Sequence, residues 1–143
     1  MVWASLLFSF WLIEMTDQEI NKIIAEFRGW VMYHPTPESV SKGYPSYSYW
    51  TPPRDSKQFA ENWGKLEMDY PPDYCNDLNA VHDAEKYILD FSRFGDELAK
   101  VVLGYTGTLE DITLNYWALQ RVAHANGRQR AEAFLKTIGK WKE

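Results

Sequence analysis

The residues of this chain best suited to chemistry fall in two short stretches: Asn79, His82 and Glu85 in NDLNAVHDAEK, and Arg128 and Arg130 in NGRQRAEAFLK. An amide, an imidazole and a carboxylate spaced three apart share one side of a helix, because such positions are neighbours on its surface. The set can hold a ligand, or it can use His82 as a general base that Glu85 orients. Two guanidiniums in the first turn of a helix, beside backbone N–H groups with no helical acceptor, suit a carboxylate or a phosphate. The helix dipole alone disfavours arginines there, so an acidic group is expected to face them. Glu85 is the expected internal partner of Arg130, with an external anion as the alternative.

The elements that must position these groups are legible around them. Pro71-Pro72 stiffens the approach to a helix opened by Asn76 or Asp77, whose short side chains can accept the first free amides. On that helix Leu78, Val81, Ile88 and Leu89 form an apolar stripe with Glu85 inside it and Asn79, His82 and Lys86 beside it. A carboxylate in an apolar stripe must pair, bind something or take up a proton, since burial disfavours its charged form. Asp73, Asp77 and His82 have no recognised metal-ligand spacing, so no metal or other cofactor is expected. No activated serine, Gly-rich phosphate loop or zinc quartet is present to indicate catalysis.

Further helices are predicted elsewhere. Thr16 and Glu19 form a capping box before Ile20, Ile23, Ile24 and Phe27, with Gly29 as the stop. Phe91, Phe94, Leu98, Val101 and Val102 share a face from a cap at Ser92 to a stop at Gly104, with Gly95 as a flexible joint. Asn126 and Gln129 cap a last helix that carries Ala131, Phe134, Leu135 and Ile138. Strands are predicted at Trp30 to Tyr33, at Tyr47 to Trp50 and from Ile112 to Ala125. His34-Pro35-Thr36-Pro37 reads as an extended turn. Asp55 to Asp69 reads as a short helix through Phe59, Trp63 and Leu66, which Gly64 weakens. The tyrosines near Trp50 are expected to pave the core edge of a small sheet; a stacking platform for a base or sugar is the alternative.

Length and composition set the outer limits. At 143 residues, with 45% hydrophobic and 16% aromatic content, one domain over residues 15–143 is expected. Fifteen basic residues against 20 acidic ones give a net charge of −5. That balance argues against a general nucleic-acid binder, which needs a concentrated positive face. Cys75 is alone, so no internal disulfide forms, and a reducing, cytoplasmic home is expected. Residues 1–14 run apolar from Val2 to Ile13 with two serines interrupting, carry no Lys or Arg, and fall short of the roughly 20 residues of a spanning helix. They are read as a mis-assigned start before Met15, with a membrane-surface anchor and a hydrophobic partner strip as rivals.

PPDYCNDLNAVHDAEK at 71–86 and RQRAEAFLKTIGKW at 128–141, with the Trp- and Pro-rich aromatic segment upstream, resemble the phage ABA sandwich domain family of small bacteriophage and prophage proteins. The resemblance covers most of the chain from Met15 onward. It implies an α/β (α+β) fold, a layered α-β-α sandwich with a small, mostly antiparallel sheet, in a phage-encoded protein of uncharacterised activity. The family pattern allows a strand over Asp55 to Asp69 in place of the helix. The first 14 residues and the segment Thr106 to Asn115 depart from that pattern. The expected function is that of a phage accessory protein, non-enzymatic, binding a host or phage protein in the bacterial cytoplasm, since Trp and Tyr are favoured at interfaces. The alternative is sequestration of an anionic, nucleotide-like signal by Asn79, His82, Glu85, Arg128 and Arg130.

Overall fold

The structure, a computed structural model, describes residues 14–62, 70–104 and 116–142. Among them are seven helices and two strands, in the order α1 (Asp17–Phe27), β1 (Val31–Tyr33), α2 (Pro37–Ser41), β2 (Tyr49–Thr51), α3 (Lys57–Asn62), α4 (Leu78–Glu85), α5 (Phe91–Leu103), α6 (Tyr116–Ala123) and α7 (Gly127–Thr137). The class is mixed α+β, and the small sheet is antiparallel. The chain forms two compact units, Ala25–Pro72 and the remainder.

The larger unit is helical in all its described elements. Thr16 opens α1, its hydroxyl accepting the Glu19 amide at 3.2 Å and donating to the Glu19 carboxylate. Ile20 and Ile24 are then fully buried, one turn apart. Asp77 is the cap of α4 and accepts the amides of Asn79 and Ala80. α4 is shorter than its apolar stripe implies. It ends at Glu85, where Tyr87 and Ile88 donate three residues back to Ala84 and Glu85. Asp90, rather than Ser92, caps α5 by accepting the Arg93 amide. With a new helix starting at Phe91, Leu89 is left in the turn at 99% exposure and Leu78 is exposed as well, while Val81, Ala84 and Ile88 are buried. Gly95 is an interior residue of α5, not a joint, and Gly104 ends that helix with φ 65°.

The expected strand after residue 112 is not formed where the chain is described: Tyr116–Ala123 is α6. Ala118, Val122 and Ala125 are buried at spacings of four and three, a helical stripe, and Ala, Leu, Gln and Arg are good helix formers. The alternation expected of a strand does not survive in the burial. Residues 112–115 lie outside the described part, as do residues 1–13 and 63–69. α5 packs chiefly on α7 and also on α6, and α4 packs directly on α7. Phe94, Leu98, Ala131, Phe134 and Leu135 fill the space between these helices, and Phe134 and Leu135 are fully buried.

In the smaller unit β1 and β2 pair with Val31 opposite Thr51, Met32 opposite Trp50 and Tyr33 opposite Tyr49. The turn at His34–Thr36 is extended, as the prolines require, but Pro37 begins a helix. Thr36 and Ser39 exchange side-chain and backbone hydrogen bonds as a capping box, and Pro37 takes the first helical position, where its missing N–H costs nothing. Of the Asp55 to Asp69 stretch, Lys57–Asn62 is helical, with Ser56 accepting the Phe59 amide.

Candidate functional site

α4 and α7 bring Glu85 and Arg130 together. Arg130 Nε donates to Glu85 Oε1 at 2.6 Å and Nη2 to Oε2 at 2.8 Å, a two-point pair that the planar guanidinium is shaped to make. The guanidinium also lies 5.7 Å from the Phe94 ring centre, and Glu85 is 8% exposed. The expected internal partnership is therefore formed, without a sheet between the two helices. Arg130 engages both carboxylate oxygens and no hydrogen bond joins Glu85 to His82, which is exposed on α4 together with Asn79.

Arg128 is engaged too. Its Nη1 donates to Asp17 Oδ1 at 2.6 Å and its Nη2 to the Met15 carbonyl at 2.7 Å, with Glu14 at 3.8 Å and the Trp141 ring beneath. The acidic groups demanded by arginines at a helix start thus come from the chain itself. Asp73 is held by Asn21 and Asn76, whose amides lower its pKa below the ordinary 3.8. It does not converge with Asp77 and His82 on a common point: Asp77 is occupied as a cap, and the described residues contain no cluster of carboxylate, thiol and imidazole groups fit for a metal ion. Of the five expected ligand residues, Glu85 and Arg130 form one closed pair, Arg128 belongs to a second network, and Asn79 and His82 face solvent.

A different concavity lies within the smaller unit. An open cleft of about 710 Å³ has Val31, Tyr33, Tyr49 and Thr51 as its floor and Ser39, Tyr44, Pro52, Arg54 and Phe59 among its walls. The floor is one face of the β-ribbon: alternate residues of β1 and their cross-strand partners point the same way, while Met32 and Trp50 occupy the other face. Tyr33 and Tyr49 stack at 5.7 Å between ring centres. Of the two rings expected to pave the sheet's edge, Tyr49 is half-buried and Tyr47 is 50% exposed, while Tyr44 and Tyr33 around the cleft are 57% and 45% exposed. Arg54 is the cleft's charged residue, and among the described residues its guanidinium makes no ion pair or hydrogen bond. Its backbone position is fixed by the turn Pro53–Ser56, in which Ser56 donates both its amide and its hydroxyl to the Pro53 carbonyl, at 3.0 and 2.6 Å.

The alternation Tyr47, Ser48, Tyr49, Trp50 signals the β2 part of this cleft in the sequence. Nothing local signals that Tyr33, Tyr44, Arg54 and Phe59 join it, because cross-strand register and a turn bring them there. Compared with known proteins, the chain matches no family model, no curated protein and no solved structure.

Proposed function

We propose that this chain is a non-enzymatic binding module, an accessory protein of a phage or prophage that acts in the bacterial cytoplasm by holding a host or phage protein. The observation that carries the reading is the cleft of residues 29–59, where tyrosines stay exposed around a floor of paired strands. Large, stiff aromatic side chains with a polar tip supply contact area at low entropic cost, which is why they are enriched at interfaces. Sequestration of an anionic nucleotide-like signal by Arg128 and Arg130 has less support, since an arriving anion would have to displace Asp17 and Glu85 from them. Among the described residues no helix is long and apolar enough to cross a membrane.

The test is capture from host and phage-infected lysates by tagged wild type, by the double variant Tyr33→Ala/Tyr44→Ala and by His82→Ala. A protein retained by wild type and His82→Ala but lost with the tyrosine variant bears the reading out. Equal capture by all three proteins overturns the cleft as the binding surface.

A further inference from the structure

We infer that the cleft of the smaller unit takes an extended, proline-containing acidic peptide in the polyproline II conformation, its carboxylate meeting Arg54. This names the partner chemistry of the binding module proposed above and rests on that reading.

The geometry separates this occupant from other peptide modes. A peptide that adds as a strand needs the unpaired N–H and C=O groups along a strand's edge. Here the cleft opens on the face of the ribbon, so an occupant meets Val31, Tyr33, Tyr49 and Thr51 side chains instead. An amphipathic helix needs a long apolar groove for anchors at every third or fourth residue. Here hydroxyls of Ser39, Tyr33, Tyr44, Tyr49 and Thr51 punctuate the lining.

Aromatic rings interleaved with hydroxyl donors suit a polyproline II strand. Such a strand makes no internal hydrogen bonds, so its carbonyls are free to accept from tyrosine O–H groups while its proline rings lie on aromatic faces. Its conformation is preformed, which lowers the ordering cost of binding. The sign of the recognised charge follows from Arg54, which among the described residues has no partner and is the one charged group of the lining. A guanidinium so placed favours a carboxylate, with which it can form two parallel hydrogen bonds.

Fluorescence anisotropy with the full chain tests this, using a labelled peptide of alternating Pro-Pro and Glu residues, a matched peptide with Lys for Glu, and adenosine monophosphate as competitor. Saturable binding of the Glu peptide is expected, about tenfold weaker for the Lys peptide, for Arg54→Gln and for Tyr33→Ala. Arg54 is exposed, so its replacement leaves the fold intact, which an unchanged melting temperature verifies. Absence of saturation up to millimolar peptide, indifference to Arg54→Gln, or displacement by the nucleotide at micromolar concentration each overturns the inference. So does a doubled mass in sedimentation that Tyr33→Ala abolishes, because a second copy then covers the cleft. Should the peptides fail while Tyr33→Ala/Tyr44→Ala still loses its captured protein, the peptide chemistry falls and the binding-module reading stands.

Discussion

Glu85 and Arg130 form the most constrained polar contact of the larger unit. Their side chains are 10% and 15% exposed, so each ion has lost most of its hydration and depends on the other for compensation. Removing one partner leaves a desolvated charge, whereas replacing both with apolar groups of similar volume removes the penalty as well as the attraction. Glu85→Ala and Arg130→Ala are each expected to lower unfolding stability by about 3 kcal/mol. Glu85→Leu/Arg130→Met is expected to cost much less than the sum of the two alanine changes, as read from urea midpoints at constant slope. Equal and additive losses would mean that the pair contributes nothing as a pair. The surface pairs Lys86–Asp83 and Lys42–Glu38 are solvent-exposed on both sides and contribute little to stability by comparison.

At the scale of elements, caps decide where helices begin more firmly than apolar stripes decide where they end. Thr16 and Asn126 are readable as caps and Asp77 as one of two candidates with Asn76, because an oxygen two or three bonds from the backbone reaches an amide of its own first turn; at α5 Asp90 takes the place expected for Ser92. The stripe through Leu89 overran its helix because Asp90 starts the next one. Gly127 carries a further constraint. A Cβ built there would lie 2.7 Å from the Cys75 carbonyl oxygen and 3.1 Å from its carbon, so the first turn of α7 sits directly against the Tyr74-Cys75 backbone. Helix propensity alone says that Gly127→Ala stabilises by up to about 1 kcal/mol. The contact reverses the sign, since backbone cannot swing aside as a side chain can, and a loss of about 2 kcal/mol is expected in thermal or urea unfolding. A gain would refute the close approach.

On the scale of the whole molecule, Cys75 reports on the integrity of the larger unit. It is 3% exposed, and burial, followed by the charge of Asp17, pushes its thiol up to about 11 from 9.0. The native state thus holds the proton more tightly than the unfolded chain. The resulting stability is fully present below pH 9 and is lost as pH rises through about 11. Wild type is expected to lose up to about 3 kcal/mol relative to Cys75→Ala between pH 8 and pH 11, read as a narrowing gap between their urea midpoints. At neutral pH, thiol reagents should modify Cys75 only through opening of the unit, at a rate that rises with denaturant. A constant gap across that range, or rapid native labelling, would show the thiol to be accessible.

Legible from the chain alone are local features: the caps at Thr16 and Asn126, the apolar spacing of α1, α5 and α7, the extended turn at His34–Thr36, and the need for acid opposite Arg128 and Arg130. These follow from interactions spanning a few residues, or from a charge that burial forces into partnership. The pairing of Glu85 with Arg130 could be anticipated for that reason, although 45 residues separate them. Only the folded chain shows that Asp17 and the Met15 carbonyl engage Arg128, that α6 packs on α5, and that Tyr33, Tyr44, Tyr49, Arg54 and Phe59 surround one cleft. Side-chain types permit many such meetings; register across a β-ribbon and packing between helices select one.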